Sequence, residues 1–291
     1  EGNVPDVYQY DDIPREFRVQ VIHMWRSAFG NEKKYETPFP HNFKSIHDIL
    51  AREYGIFKLA GDRYSSFFER VCDFLLVEND TDKVLDVIEL SFRVIDILVR
   101  ENPHRYNATQ EPDDAIKELN ERLREHGIGY QYESGIIIRV DSQLIHAEVV
   151  KPALKFLSGP NYKGANEEYL SAHSHYRSQK YKECLNDCLK AFESTMKSIC
   201  DKRGWPYGKN DTSKVLIEVL LNEGLIPTFM QSHFKGLRTS LESGVSTTRN
   251  KLGGHGQGST SVQVPESIAS YLLHLTATNI NLIVKLEQEM K

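Results

Sequence analysis

The feature that most constrains the fold is a regular spacing of apolar residues between Tyr181 and Cys200. In the stretch YKECLNDCLKAFESTMKSIC, apolar side chains recur every three or four residues, which is the period of one face of an α-helix. Such a helix has to bury that face, because packing supplies most of the stability of helices in proteins. Four further segments with this period lie after residue 160, and together they predict a small helical bundle.

The first half of the chain has the same helical period, with one interruption. IGYQYESGIIIRVDS carries two short β-prone runs separated by Glu133, Ser134 and Gly135, which predicts a β-hairpin near residues 129–141. SGPNYKGAN clusters Gly, Pro and Asn as linkers do. We therefore expect a mainly α protein, with a helical N-terminal domain and small β-hairpin over residues 1–158, followed by a helical bundle over residues 159–291.

Composition argues against several classes of protein. No apolar run approaches the roughly 20 residues that a membrane span needs, so no membrane partner is expected. Four cysteines are too few for a disulfide framework at this length, which is consistent with a reducing, cytoplasmic location. Cys184 and Cys188 are four residues apart and could form a metal pair, but no second ligand pair has a matching spacing. We expect buried core thiols, with no metal and no cofactor.

The net charge of −5 is unevenly divided along the chain. Residues from 160 onward contain 16 Lys and Arg against 13 Asp and Glu, whereas residues 1–159 contain 20 against 28. The C-terminal part is therefore the better candidate for binding a polyanion, although its excess of positive charge is far below that of a dedicated nucleic-acid-binding domain.

One polar stretch, TTRNKLGGHGQGS at residues 247–259, combines residues suited to phosphodiester chemistry. Arg249 offers a planar set of donors for phosphate oxygens, His255 can exchange a proton near neutral pH, and Asn250 can hold either of them. On an unbroken helix Arg249 and His255 would lie about 240° apart, but the glycines between them can end the helix and turn His255 back. The stretch lacks the Lys-Ser/Thr of a P-loop. Helix-end glycines alone would not explain the three polar residues.

This Arg-Asn…His set, placed before the last helix of a small bundle, resembles the motif of HEPN domains, a family of helical domains that includes many metal-independent ribonucleases. Many members also carry Glu, three residues and then a basic residue on an earlier helix, and ESTMK supplies Glu193 and Lys197. The alternative interpretation of that pair is an exposed i,i+4 salt bridge. The resemblance covers roughly residues 160–291 and implies an HEPN-type helical bundle.

The resemblance also implies an endoribonuclease activity and a role for each residue. The 2′-OH of RNA would attack the adjacent phosphate and leave a 2′,3′-cyclic phosphate. His255 would transfer a proton as general base or acid, and Arg249 would stabilise charge on the phosphate. Asn250 would position the reacting groups, and Glu193 and Lys197 would support the site. Two copies would pair as a homodimer through the HEPN domain, forming one composite site that needs no metal.

The whole chain is similar to bacterial AbiJ-like abortive-infection proteins. That similarity implies a phage-defence toxin that cleaves RNA such as tRNA or mRNA, an N-terminal domain that senses or regulates, and an ATPase or antitoxin partner. HEPN toxins paired with a nucleotidyltransferase antitoxin have a tyrosine two residues after the histidine, where this chain has Gln257, so that route of regulation is not expected. The alternative is a non-catalytic nucleotide- or partner-binding module.

The other histidines are interpreted as structural. His173 and His175 are two residues apart and so point to different faces of a helix, which makes a shared metal ion unfavourable. Those within amphipathic helices are expected to be satisfied structural residues; they are His23, His47, His146, His233 and His274.

Overall fold

A computed structural model describes residues 8–30, 38–62, 64–236 and 264–290. Its contacts divide the chain into two compact units, which we name unit 1 (Glu1–Val140) and unit 2 (Asp141–Lys291). The segment just after residue 140 packs within unit 2, since the side-chain amide of Asn281 donates a hydrogen bond to the carbonyl of Val149 at 2.8 Å. The expected domain boundary after residue 158 stays a prediction.

Unit 1 is built mainly of helices, as the apolar period predicts. Its α-helices are α1 (Arg15–Phe29), α2 (Phe39–Glu53), α3 (Phe67–Val77), α4 (Thr81–Val94) and α5 (Pro112–Glu125). Ser66 and Glu69 form a reciprocal capping box at the start of α3, and the side chain of Asp80 caps α4. These polar residues fix where α3 and α4 begin.

Aromatic side chains from the first three helices fill the core of unit 1. The ring of Phe43 lies 4.8 Å from the rings of both Phe39 and Phe68, measured between centroids. Trp25 is also fully buried, and its indole N–H donates to the hydroxyl of Ser91 at 2.8 Å. Because the one polar atom of the indole has a partner, Trp25 contributes apolar surface to the core without an unpaired buried donor.

The predicted β-hairpin is confirmed. Strands β1 (Tyr130–Glu133) and β2 (Ile136–Arg139) pair antiparallel. The two residues between them, Ser134 and Gly135, have φ angles of 51° and 89°, which is the backbone geometry that a tight hairpin turn requires. The predicted fold class, mainly α with a small β-hairpin, is therefore correct for this unit.

Unit 2 is a helical bundle, which confirms the architecture expected from the periodicity. Its α-helices are α6 (Gln143–Ile145), α7 (Lys151–Leu157), α8 (Lys163–Arg177), α9 (Tyr181–Arg203), α10 (Ser213–Asn222) and α11 (Glu266–Glu289). A three-residue turn joins α8 to α9, and α9 packs against α8 on one side and α11 on another. The apolar stripe of α9 is buried in these contacts, including Phe192 and Met196.

The last helix, α11, is long and apolar enough to cross a membrane by length and composition alone. Its most apolar window of 18 residues has a mean hydropathy of 1.2, and half of that window is buried inside the fold. A core helix passes the same test. In unit 2 the buried face of α11, with Leu272, Ile280 and Ile283, packs as such a core helix.

Candidate functional site

The central residues of the predicted site lie outside the part of the chain that the structure describes. Arg249, Asn250, His255 and Gln257 fall within residues 237–263, which separate two described segments. The roles assigned to these four residues stay predictions. The two supporting residues, on α9, can be located.

Glu193 caps the helix that follows α9. Its Oε1 accepts a hydrogen bond from the backbone N–H of Ser213 at 2.7 Å. The residue at the cap position of α10, Thr212, makes no side-chain capping bond of its own. Glu193 therefore supplies from α9 the acceptor that the first turn of α10 needs, and its negative charge lies at the positive end of that helix.

Lys197 contacts the same connection between α9 and α10. Its Nζ donates to the carbonyl oxygen of Lys209 at 3.3 Å. Glu193 and Lys197 thus bind the segment from Lys209 to Ser213 rather than each other. The alternative interpretation of the pair, an exposed i,i+4 salt bridge, does not describe these contacts.

Polar side chains continue from Glu193 along the line where α8 and α9 meet, and we name this strip the α8–α9 seam. It contains Ser171 and His175 of α8, with Asp187, Lys190 and Glu193 of α9. Asp187 is only 7% exposed. Its Oδ2 accepts hydrogen bonds from the hydroxyl of Ser171 at 2.6 Å and from Nδ1 of His175 at 3.0 Å. Its Oδ1 accepts one from Nζ of Lys190 at 2.9 Å.

These hydrogen bonds decide the charge of Asp187. Burial alone would raise the pKa of its carboxyl group, but the hydrogen bonds from Ser171 and Lys190 and the positive charges nearby lower the pKa below its ordinary value. Asp187 is therefore ionised at neutral pH. The sequence analysis missed this residue because an Asp in an amphipathic helix is usually exposed. The sequence feature that could have indicated the burial of Asp187 is its position between Cys184 and Cys188, on the apolar stripe of α9.

Glu168 of α8 lies beside the seam, since the charges of Lys190, Asp187 and Glu193 act on it, and its pKa is shifted in the opposite direction from that of Asp187. Burial raises the pKa of its carboxyl group, against smaller opposing effects from the hydroxyl of Ser194 and the charge of Lys190. Its Oε2 is buried and has no hydrogen-bond partner. Burial therefore raises the pKa of the Glu168 carboxyl group, whereas the partners of Asp187 lower the pKa of its carboxyl group.

The two histidines of the His173-Ser174-His175 run do point to different faces, as expected. His173 is 1% exposed, and neither of its ring nitrogens has a hydrogen-bond partner. Burial and the neighbouring His274 and His146 lower the pKa of His173 to about 3. Among the residues that the structure describes, no group of three or more His, Cys, Asp or Glu is placed to hold a metal ion.

The thiols behave as the sequence predicts. Cys72, Cys184, Cys188 and Cys200 are all buried, and none of these four is in a disulfide. The pKa of the Cys184 thiol is raised by its hydrogen bond with Cys188 and by burial, so the Cys184 thiol stays protonated. Both cysteines are buried and serve as core packing.

Two family models match the chain, and together they account for most of its length. The model described as a HEPN-like domain matches residues 163–287, and the model described as AbiJ N-terminal domain 4 matches residues 1–155. The searches of curated proteins and of solved structures each gave no match. The HEPN-like match spans α8 to α11, and so includes the α8–α9 seam. The chain therefore belongs to the AbiJ N-terminal domain 4 family and is an AbiJ-like protein with a C-terminal HEPN-like domain.

Proposed function

We propose that this protein is a metal-independent endoribonuclease that acts as a toxin in a bacterial abortive-infection system. The observation that carries the proposal is the HEPN-like match over residues 163–287, a range that contains the Arg-Asn…His set together with Glu193 and Lys197. The family assignment supports the abortive-infection role, and the chemistry of the three polar residues supports cleavage of a phosphodiester.

In the proposed reaction the 2′-OH of RNA attacks the adjacent phosphorus, and the bond from phosphorus to the 5′ oxygen breaks. Arg249 stabilises the negative charge that develops on the phosphate oxygens. His255 transfers a proton as general acid or base, and Asn250 positions the reacting groups. Glu193 contributes through the start of α10, which it caps. The products are a 2′,3′-cyclic phosphate and a 5′-OH.

Two copies would pair through the HEPN-like domain, so that the two sets of residues form one composite site. The protein would act in the cytoplasm on RNA such as tRNA or mRNA, without a cofactor. An ATPase or antitoxin encoded separately would control it. The N-terminal unit would sense the trigger or bind that partner.

The test is an RNA-cleavage assay with the purified full-length protein in the presence of EDTA. We expect cleavage of tRNA or mRNA that leaves 2′,3′-cyclic phosphate ends, and no cleavage of a substrate with a single 2′-deoxy position at the cut site. Arg249→Ala and His255→Ala should each lower the rate about 100-fold or more. A wild-type protein that leaves RNA intact, with its partner and phage lysate also supplied, would refute the proposal.

A second candidate function is a non-catalytic nucleotide- or partner-binding module. The contacts of Glu193 and Lys197 favour it, since both side chains are already occupied by the connection between α9 and α10. Under this alternative, Arg249 would only anchor a phosphate. Binding of RNA by wild type and by His255→Ala with equal affinity, and without cleavage by either, would favour the module.

A further inference from the structure

We propose that part of the loop between α2 and α3 is a proton-controlled arm, closed against α2 while His47 is neutral and released when His47 takes up a proton. The arm is residues 57–61 of unit 1. This inference goes beyond the proposed function, because it gives unit 1 a kind of trigger, a fall in pH, and it does not depend on RNA cleavage.

Both nitrogens of the buried His47 ring are bonded, and the two bonds require the same tautomer. Nδ1 lies 3.0 Å from Oδ1 of Asp48, and hydrogen bonds from Lys44 and His47 lower the pKa of that carboxyl group. Because the ionised carboxylate can only accept, Nδ1 is the donor. The lone pair is therefore on Nε2, which accepts a hydrogen bond from the backbone N–H of Leu59 at 3.4 Å.

Leu59 is the point at which the arm is held against α2. Its side chain is buried, and Nε2 of His47 is the one acceptor that the described residues give its N–H. The chain on either side is fixed separately, since the N–H of Ile56 bonds to the last turn of α2 and the carbonyl of Asp62 accepts from Arg70 of α3. The arm can therefore move without unfolding either helix.

A proton on His47 removes this hold. In the imidazolium both ring nitrogens are donors, so Nε2–H and the N–H of Leu59 would point at each other, and the buried amide would lose its acceptor. Asp48 does not oppose release, because it adjoins His47 on the same helix and stays beside the imidazolium when the arm leaves. The bond that distinguishes the closed arm from the released arm is the one to Leu59.

The other charged groups near His47 come from its own helix and from the elements packed around it. The imidazole lies against the ring of Phe67 of α3, with 5.1 Å between centroids. The described charged groups on these elements are Lys44 and Asp48 of α2, Lys58 and Asp62 of the loop, Arg70 over the Phe67 ring, Lys83 and Asp86 of α4 beside Tyr54, and Arg26 of α1 over Phe68. Of these, Lys58 alone belongs to the arm, so release takes a positive charge away from the imidazolium and leaves the others in place.

Release changes the apolar surface that unit 1 presents to solvent. Phe57 is fully exposed even in the closed arm, whereas Leu59, two residues later, is buried. The released arm therefore carries both side chains in water. An apolar surface that forms only in acid is the physical output of this device.

The test is amide hydrogen exchange of the full-length protein at about pH 7.5 and about pH 5.5, resolved at Leu59. The rates are expressed as protection factors, so that the intrinsic pH dependence of exchange cancels. Histidine in model peptides titrates at about pH 6.5. The hold on the arm is therefore present above that pH and lost below it, and the protection of Leu59 should fall about tenfold between the two conditions. Amides inside α4 should keep their protection, which separates release of the arm from general loosening of unit 1.

Three variants assign the effect to His47. His47→Gln cannot take up the proton, so the fall in protection should disappear. Asp48→Asn removes the carboxylate that attracts the proton, so the fall should move to lower pH. His41→Gln replaces an exposed histidine of the same helix and should keep the fall, as the matched control.

Equal protection of Leu59 at both pH values in wild type would overturn the inference, and so would a tenfold fall that persists in His47→Gln. Loss of the fall in His41→Gln would also overturn it, because the effect would then not belong to His47. Thermal unfolding at about pH 7.5 checks that each variant is folded. If His47→Gln does not fold, the wild type and Asp48→Asn still decide the question. No RNA is present, so the result is independent of whether the protein cleaves RNA.

Discussion

His173 and His175 are two positions apart in one helix, but one ring is buried in the core and the other is partly exposed beside a carboxylate. His175 faces the α8–α9 seam and bonds to Asp187, whereas His173 faces the core, against the ring of Tyr169 at a centroid distance of 4.8 Å. A buried polar group without a partner costs free energy relative to water. The buried ring of His173, which has no hydrogen-bond partner, is therefore expected to cost folding free energy that an apolar side chain would not.

At this scale the prediction concerns stability in acid. The pKa of His173 is lowered from 6.5 to about 3 in the folded protein. Between these two pH values His173 is therefore protonated in the unfolded chain but neutral in the folded one. Unfolding therefore becomes easier as pH falls from about 6.5 towards 3, by at most roughly 1.4 kcal/mol per pH unit from this group. His173→Leu should remove that part of the dependence and unfold at higher urea than wild type at pH 5. Equal urea midpoints at pH 5, with equal pH dependence, would contradict it.

Among secondary-structure elements, the beginnings and ends of helices are set by contacts from other helices as well as by local sequence. Glu193 caps α10 from α9, and Glu287 of α11, which is 1% exposed, pairs with Lys202 and Arg203 at the end of α9. Burial would raise the pKa of Glu287, but these two cations lower it below its ordinary value. Both carboxylates connect α9 to a neighbouring element, so α9 organises the bundle.

The prediction at this scale separates the capping role of Glu193 from its proposed support of the site. Glu193→Ala should lower the free energy of unfolding by about 1 kcal/mol, since the first turn of α10 loses its acceptor. Glu193→Gln keeps an oxygen acceptor and should lose less. Urea denaturation of both variants, measured beside their RNA-cleavage rates, tests this. If Glu193→Ala unfolds at the same urea concentration as wild type, the capping role is wrong.

For the whole molecule, the family assignment connects a HEPN-like bundle, whose matched range includes Arg249, Asn250 and His255, to an AbiJ N-terminal domain. The N-terminal unit carries the excess of acidic residues and the bundle carries the excess of basic ones. RNA, which is a polyanion, is therefore expected to bind the bundle rather than the N-terminal unit. The proposed division of labour, regulation in one unit and cleavage in the other, follows this difference in charge.

Expression in bacteria tests the function at the level of the cell. Wild type, induced alone or during phage challenge, should arrest growth or protect the culture, and Arg249→Ala and His255→Ala should do neither although they accumulate to the same level. Sedimentation of the purified protein should give the mass of a dimer. Equal growth and equal phage sensitivity in all three strains would remove the support for a toxin.

The sequence alone determined the features that depend on neighbouring residues. Periods of three and four predicted the helices, Ser134 and Gly135 predicted the hairpin turn, and the Arg249, Asn250 and His255 set indicated the HEPN family that the bundle then matched. Only the tertiary structure decided that Asp187 is buried under His175 and that Glu193 caps α10. Those partners are 12 and 20 residues apart in the chain, and such contacts form only when helices pack, so no local pattern of side chains could specify them.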